Sequence, residues 1–371
     1  MTNGNGKIRR SSCSRSFSSI RFLAGDSLIF FAMLLIIIFI NAGCTKKPLP
    51  AELKGITGKT MGTTFSIKIA DDKNLSIDYK SLESEINELL KEINRQMSTY
   101  IEDSEISRFN NYDSTGWFNI SYDFASLLNT AIDVSILSAG AFDITVGPLV
   151  NLWGFGPELK KPEVPGVKEL LEAKSKTGYK FIEVRVDTPA VKKEKPEIYL
   201  DMSAIAKGYA VDKVAEMLSS KKIINYMVEI GGEVRTAGKN NKDESWKIGI
   251  ETPDSPTNIQ KVISISDYSI ATSGDYNNYF EENGIRYSHT IDPRMGMPIT
   301  HKLASVTVIH TNCTLADAYA TAINVMGPTA GYDFALKENL IIYMIVREET
   351  GFKEKTTSQF AKFFHLVNRK I

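Results

Sequence analysis

The sequence predicts a single α+β domain rather than a series of βαβ units. Three observations support this fold class. The 371 residues are 43% apolar, which is ordinary for a soluble domain with a sizeable core. From Glu197 onward, one strand and helix are followed by several strands in a row and then by further helices. The sequence has no repeat with a period of about 20–50 residues.

The spacing of apolar residues places the individual elements. Apolar residues at helical spacing predict helices at Tyr79–Met97, Ser121–Ser138, Ala204–Leu218, Thr329–Lys337 and around Asp317. Alternating or short apolar runs predict strands at Thr63–Ala70, Lys180–Val186, Ile198–Leu200, Tyr226–Ile230, Trp246–Ile250, Val262–Ile265, Tyr287–Ile291, Ser305–His310 and Leu340–Val346. Glycines and prolines predict a loop region at Gly140–Gly156 and a surface excursion at Thr188–Pro196.

The N-terminus has the pattern of a secretory signal. Residues 1–27 carry five basic side chains against one acid, and Leu28–Ile40 is an unbroken apolar run, too short to span a bilayer comfortably. Small residues follow it. We therefore predict a signal peptide at residues 1–43.

The ending Asn41-Ala-Gly-Cys44 resembles a bacterial lipobox, although Asn41 stands where a leucine-like residue is usual. We predict that Cys44 is acylated and becomes the mature N-terminus. Residues 44–54 would then be a tether, and residues 55–371 the functional domain. The protein is expected to be exported and anchored to the cytoplasmic (inner) membrane, facing the periplasm. An uncleaved signal anchor is the alternative.

Net charge and cysteine count argue against several classes of function. The chain has 44 Lys+Arg and 44 Asp+Glu, and removal of the signal leaves a net charge of about −4. No basic patch points to a nucleic-acid partner. Only Cys313 remains after cleavage and acylation, so the sequence predicts neither an internal disulfide nor a zinc cluster.

Two segments point to a site for a metal and an anionic ligand. Asp317 and Thr321 stand four apart in a helix-like stretch, which puts a carboxylate and a hydroxyl one turn apart on one face. Such hard oxygen donors suit Mg²⁺. Asp201 and Lys207 add a second acid and a cation for a phosphate-bearing ligand. The alternative is a surface-facing helix with a stray Asp and Thr.

Other candidate motifs are weaker. The segment around Gly58 is not a P-loop, because Leu53 occupies the position of the first glycine. Gly231-Gly232 allows either close approach to a ligand or a tight turn. His289 is the best acid/base candidate among the four histidines, because its neighbours are polar and imidazole titrates near neutral pH. A hydrogen-bonded structural histidine is the alternative.

Eight short blocks occur in order along the chain: Met61–Phe65, Ser98–Tyr100, Gly140–Pro148, Asp201–Gly208, Glu229–Gly232, Ala271–Gly274, Ser288–Gly296 and Ala316–Thr321. This series resembles the flavin transferase family typified by ApbE. The resemblance covers roughly residues 55–350 and implies an ApbE-like, T-fold-related domain in which mixed antiparallel sheets pack with helices.

The resemblance implies a function and a set of site residues. The family transfers FMN from FAD, with Mg²⁺, to a threonine of an acceptor redox protein through a phosphoester bond, and releases AMP. Asp317 and Thr321 match the side-chain Mg²⁺ ligands, Ala204 a backbone ligand, and His289 the proposed base, a role also given to the metal-bound aspartate. The matched FAD-binding or pocket-lining positions are Met61, Tyr100, Ala141, Phe142, Asp143, Asp201, Lys207, Gly232, Ser273 and Gly274.

The same residues suggest how catalysis would proceed. Lys207 would stabilise the leaving AMP phosphate, and Asp317 is expected to face the surface. Tyr100 and Phe142 offer flat surfaces for adenine or isoalloxazine, with ordinary core packing as the alternative. Two other functions remain open from the sequence alone: a Mg²⁺-dependent FAD pyrophosphatase that yields FMN and AMP, and a non-catalytic flavin-binding lipoprotein.

Overall fold

The structure is a computed structural model that describes residues 52–71, 76–156, 162–253, 255–274 and 279–368. The predictions of a signal peptide, of acylation at Cys44 and of the first part of the tether lie outside these ranges. Within them, none of the helices combines the length and the apolar character needed to cross a membrane.

An eight-stranded antiparallel sheet organises the domain, as the α+β prediction requires. Strands that are adjacent in the sheet are often distant in sequence. In spatial order the strands are β1 (Glu52–Thr60), β2 (Thr63–Asp71), β6 (Tyr226–Ile230), β7 (Glu233–Ala237), β10 (Ser269–Gly274), β15 (Leu303–His310), β16 (Ile341–Arg347) and β17 (Phe352–Thr356).

Four smaller antiparallel sheets surround the large one. The first contains β3 (Phe118–Asn119), β5 (Ala190–Lys193) and β4 (Ile182–Arg185). The other three are the hairpins β8 (Trp246–Thr252) with β9 (Ser255–Ile265), β11 (Tyr279–Glu282) with β12 (Ile285–Ser288), and β13 (Ile291–Asp292) with β14 (Met297–Pro298).

Eight helices lie within the described ranges. Helix α1 has the predicted bounds, and the Asp78 carboxylate caps it by accepting from the amides of Lys80 and Ser81. The helices are α1 (Tyr79–Met97), α2 (Glu105–Asn110), α3 (Tyr122–Leu137), α4 (Gly147–Leu152), α5 (Val167–Ser175), α6 (Ala206–Ser220), α7 (Cys313–Lys337) and α8 (Ser358–Asn368).

Both faces of the large sheet are covered. Along β16, Ile342 and Met344 belong to the main core, which they share with α1, α3, α6 and α7. Tyr343 and Ile345, which alternate with them, belong to a second cluster shared with α8 and β9. A strand that is buried on both faces reads as a continuous apolar run, which explains why β16 was readily predicted.

Several predicted elements are wrong in detail. Gly140–Gly156 contains helix α4 rather than only loops, and Thr188–Pro196 contains strand β5, whose Val191 is fully buried. Ile198–Leu200 is extended but pairs with no strand in the described structure. Residues 52–54, predicted as tether, pair with β2.

Helix α7 joins two predicted helices. It spans the predicted helix around Asp317 and the one at Thr329–Lys337, and it bends at Gly327, whose φ of 79° is not helical. Pro328 follows directly and has no amide hydrogen to donate to the preceding turn, which accounts for the bend. The N-terminal half of α7, before this bend, carries the predicted metal ligands.

Candidate active site

Most of the predicted site residues line one cavity of about 370 Å³. We call it the first cavity. It lies between the start of α6, the N-terminal half of α7, the end of β10 and the segment after β12. The predicted residues that line it are Tyr100, Ala141, Phe142, Asp143, Asp201, Ala204, Lys207, Ser273, Gly274, His289, Asp317 and Thr321.

Asp317 is buried rather than surface-facing, which corrects the expectation from the sequence. Its side chain is 5% exposed, and Oδ2 accepts a hydrogen bond of 3.0 Å from the amide of Gly208. Helix α6 therefore packs against the carboxylate and determines its orientation. Thr321 lies one turn further along α7 and lines the same cavity.

Gly208 lets helices α6 and α7 touch beside Asp317. A Cβ atom at position 208 would lie 2.4 Å from the carbonyl oxygen of Cys313 and 2.8 Å from Cβ of Asp317. These distances are shorter than van der Waals contact, and the backbone of Cys313 cannot move aside. Any larger side chain at position 208 would therefore push the two helices apart. The glycine thus places Asp317 directly against the start of α6.

Asp212 fixes the first turn of α7, and the sequence analysis did not identify it. The side chain is 3% exposed. It accepts from the amides of Cys313 (3.0 Å) and Thr314 (2.8 Å) and from the Thr314 hydroxyl (2.7 Å), and it pairs with Arg235. A carboxylate at a helix N-terminus satisfies amides that lack intrahelical partners. Asp212 therefore anchors the helix that carries Asp317.

Lys207 projects from α6 into the first cavity. Its ammonium lies 2.7 Å from Oε1 of Glu233, and 30% of its side chain is exposed. Burial opposes the charged form, but the carboxylates of Asp317 and Glu233 raise the pKa of Lys207 above its ordinary value. The side chain is therefore a permanent cation in the wall of the cavity.

Glu233 is a site residue that sequence reasoning missed. It begins β7, is 3% exposed, and lines the first cavity. Burial raises the pKa of its carboxyl to about 8, with Lys207 opposing the shift and Asp317 adding to it. Its Oε2 is buried and has no hydrogen-bond partner among the described residues. Its position directly after the block Glu229-Ile-Gly-Gly232 is the signal that could have identified it.

The glycine pair before Glu233 forms a tight turn between β6 and β7. Gly231 and Gly232 have φ values of 59° and 98°, and the Gly232 amide donates to the Glu229 carboxylate at 2.8 Å. Gly232 is a predicted site residue that does not line the first cavity. Gly231 does matter to the site, because a Cβ there would lie 3.2 Å from Cδ of Lys207.

Two further carboxylates hold the loops of the cavity wall. Asp143 accepts from the amide and hydroxyl of Thr145 and from the amide of Tyr179, and burial raises the pKa of its carboxyl. Asp201 accepts from the amide and hydroxyl of Ser203, while its own amide donates to the Ile144 carbonyl at 2.7 Å. The loops containing residues 143 and 201 are thus tied together.

The two predicted aromatic surfaces differ. Phe142 is 2% exposed and belongs to the main core, which matches the core-packing alternative. Tyr100 is 72% exposed. The ring of Tyr100 is therefore available to stack on a planar ligand, whereas Phe142 only forms part of the cavity wall.

His289 follows β12 directly and lines the first cavity. Its ring packs edge-on against Phe155, with 6.3 Å between the ring centroids. Across the cavity, the Ser273 hydroxyl at the end of β10 accepts from the side-chain amide of Asn324 on α7 at 3.1 Å. The structure thus brings His289 into the same cavity as Lys207 and Asp317.

A second cavity, of about 610 Å³, adjoins the first. The β1–β2 turn contributes Met61 to it, at a φ of 49°. It shares Tyr100, Ser203 and Lys207 with the first cavity. Two concave spaces therefore meet at one lysine, and Met61 is the predicted site residue that lines only the second.

Comparison with known proteins identifies the family. A model of the ApbE family matches residues 61–345. The chain belongs to the ApbE family. The predicted resemblance and the predicted enzyme class, a transferase, are confirmed.

Named relatives are similar over nearly their whole length. The FAD:protein FMN transferase of Vibrio cholerae serotype O1 is 46% identical over 91% of this chain and 98% of its own. The enzyme of the same name from Haemophilus influenzae is 42% identical over 86% and 93%.

Two solved structures share the fold. Flavin transferase ApbE from Vibrio cholerae aligns with a TM-score of 0.79 at 44% identity, over 84% of this chain and 99% of that one. The apo form of Pseudomonas stutzeri flavinyl transferase ApbE has a TM-score of 0.79 at 35% identity, over 85% and 97%.

The first cavity of this ApbE family member is lined by more carboxyl groups than cationic groups. Four carboxyl groups line it, from Asp143, Asp201, Glu233 and Asp317, whereas Lys207 is the one lysine or arginine among its described lining residues. An anionic ligand that enters such a cavity meets a negative field unless a cation accompanies it.

Proposed function

We propose that this protein transfers FMN from FAD to a threonine hydroxyl of an acceptor redox protein, in a Mg²⁺-dependent reaction that forms a phosphoester and releases AMP. The observation that carries the proposal is the junction of two cavities at Lys207 in a chain of the ApbE family. FAD consists of two planar ring systems joined by a diphosphate. One ring system in each cavity would bring the diphosphate to the Lys207 ammonium, with the Tyr100 ring at the boundary.

The donor groups in the first cavity suit Mg²⁺. No group of three or more His, Cys, Asp or Glu side chains within the described ranges forms a metal cluster. By the resemblance to the family, Asp317, Thr321 and the Ala204 carbonyl would supply the protein ligands, and Asp317 and Thr321 line the first cavity. A small set of oxygen donors with one carboxylate, completed by water and substrate phosphate, is the usual environment of Mg²⁺. When bound, Mg²⁺ would polarise the phosphate oxygens and offset the charge that develops on them.

The protein side chains divide the remaining steps. Lys207 binds the diphosphate and stabilises the AMP phosphate as it leaves. His289 accepts the proton of the threonine hydroxyl while the hydroxyl oxygen attacks the phosphorus next to riboflavin. The bond between that phosphorus and the bridging oxygen breaks, and the oxygen departs with AMP. The threonine is left joined to FMN through its phosphate.

One incubation tests the proposed reaction. The purified protein is mixed with FAD, Mg²⁺ and a candidate acceptor, and AMP release and acceptor mass are followed together. A mass gain of one FMN group on a threonine, with an equal amount of AMP, supports transfer. AMP without that gain indicates the pyrophosphatase, in which water takes the place of the hydroxyl. Neither product indicates flavin storage.

Replacement of Asp317 tests the metal assignment. Asp317→Ala removes the one carboxylate among the proposed ligands, so turnover should fall to background at all Mg²⁺ concentrations. Because the Gly208 amide also loses its acceptor, the free energy of unfolding should drop by about 1–3 kcal/mol. Asp333→Ala, at an exposed position of the same helix, is the matched control. Full activity of Asp317→Ala in Mg²⁺ would show that the metal assignment is wrong.

We also propose that the protein is exported and held at the inner membrane by acylated Cys44, as the N-terminal sequence suggests. Mass spectrometry of the membrane fraction tests this. A mature chain that begins at a diacylglyceryl-modified Cys44 is expected, and an intact N-terminus at Met1 would indicate a signal anchor instead.

A further inference from the structure

Glu233 has an unusual environment that the proposed reaction does not use. Glu233 is 3% exposed, one of its carboxylate oxygens accepts from the Lys207 ammonium, and the other has no hydrogen-bond partner in the described structure. A buried carboxylate is costly unless it is paired. Glu233 also lines the first cavity, so its pairing with Lys207 bears directly on how that cavity receives a ligand.

The contacts of Lys207 show what Glu233 does in the ligand-free cavity. The Lys207 ammonium lies 2.7 Å from Glu233, and its stem passes close to Gly231 in the turn that leads to Glu233. The same turn thus positions both ends of the ion pair. A diphosphate that uses Lys207 has to compete with Glu233 for the ammonium.

The charges in the first cavity determine whether the diphosphate or Glu233 pairs with the Lys207 ammonium. Glu233 and Asp317 both interact with the single Lys207 ammonium, and a dinucleotide diphosphate adds two negative charges. Charges of like sign a few ångströms apart in a partly buried site repel strongly. A divalent cation beside Asp317 would reverse the local sign and release Lys207 to the phosphate.

We propose that Glu233 is a positioning residue for Lys207 that makes tight dinucleotide binding conditional on a divalent cation. The inference rests on the proposed function, since it assigns FAD as the ligand of this cavity. The Glu233 carboxylate stays paired with the Lys207 ammonium until the cation has entered. FAD and the metal therefore bind with strong positive coupling, and the site does not retain FAD alone.

The test compares FAD affinity with and without metal. FAD is titrated with the wild-type protein in EDTA and in Mg²⁺, and binding is followed by flavin fluorescence. The pH is 8.5, above the Glu233 pKa of about 8. Wild type should bind FAD at least about tenfold more tightly in Mg²⁺. Equal affinity in the two buffers would overturn the proposal without any variant.

Glu233→Gln supplies the sharper comparison, because it keeps the shape and removes the charge. In EDTA this variant should bind FAD at least about tenfold more tightly than wild type, and the enhancement by Mg²⁺ should shrink by a similar factor. A residue with only a packing role would weaken binding in both buffers. Glu216→Gln, exposed on α6, is the charge-matched control and should behave as wild type. Unchanged or weaker binding of FAD by folded Glu233→Gln in EDTA would refute the assignment.

Failure of this inference is distinguishable from failure of the proposed function. If wild type flavinylates the acceptor in Mg²⁺ but binds FAD equally well in EDTA, only the role of Glu233 is wrong. If wild type in Mg²⁺ neither binds FAD nor releases AMP, the proposed function itself is wrong.

Discussion

Lys207 and Lys193 lie in contrasting surroundings. Lys207 pairs with a carboxylate at the wall of a cavity. Lys193, on β5, is fully buried, and its ammonium donates to the backbone carbonyls of Phe109 and Asn110, each at 3.1 Å, and of Ile198 at 3.4 Å.

The two environments move the lysine pKa values in opposite directions. Burial lowers the pKa of Lys193 to about 8, although Asp113 and Glu197 oppose the shift. At Lys207 two nearby carboxylates outweigh burial and raise the pKa. An ammonium held by neutral carbonyls serves to join segments of backbone. An ammonium held by carboxylates keeps its charge at any physiological pH.

The largest expected effect is on catalysis, at Lys207. Lys207→Met keeps the length of the side chain but removes the charge that, in the proposed mechanism, stabilises the leaving phosphate. The rate of AMP release should fall by about 10²–10³. The fold should persist, because buried Glu233 can become neutral by taking up a proton. Lys213→Met on the same helix is the control. An unaltered rate in Lys207→Met would remove the functional distinction between the two lysines.

The next effect is on stability, at Lys193. Lys193→Met removes the ammonium that donates to the carbonyls of Phe109, Asn110 and Ile198, so the free energy of unfolding should drop by about 1–3 kcal/mol. AMP release per folded molecule should change far less than in Lys207→Met. Lys192→Met, the neighbour whose ammonium pairs with Glu183 on the surface, should cost about 1 kcal/mol or less. Urea unfolding of the three proteins measures the difference, and equal stability of both variants would contradict a structural role for Lys193.

The smallest effect is a pH dependence specific to Lys193. Its pKa is about 8 in the folded protein, below the ordinary value of 10.5. Between these values the unfolded chain binds more protons, so the contribution of Lys193 to stability rises with pH and is constant below about pH 7. The difference in unfolding free energy between wild type and Lys193→Met should therefore increase from pH 7.5 to pH 10. A flat or falling difference would show that the Lys193 pKa is not lowered.

Sequence patterns predicted the elements that have a clear apolar period and missed those in which the period is hidden. Tyr79–Met97 and Tyr226–Ile230 have the predicted bounds, because each has a clear apolar period. Strand β1 was missed because its glycines and lysines hide the alternation. Strand β5 was missed because Lys193 looks like a surface residue, and its burial depends on carbonyls from distant segments.

The site residues likewise divide into those that short motifs identify and those that depend on distant contacts. Short motifs identified residues that the structure brings into one cavity, including Lys207, His289 and Asp317. Asp212 escaped notice because its partners in α7 lie 101 and 102 residues further along the chain. Glu233 escaped because a single glutamate carries no sign of its own burial.

The close crossing at Gly208 and the cap from Asp212 have a mechanical consequence. Helix α6 and the start of α7 are joined at two places, one by direct backbone contact and one by a shared carboxylate. Neither helix can slide or tilt without the other, so the two helices move as one rigid unit on this side of the cavity. Any opening that admits a bulky protein substrate must therefore come from the facing side, where β10 and β12 end.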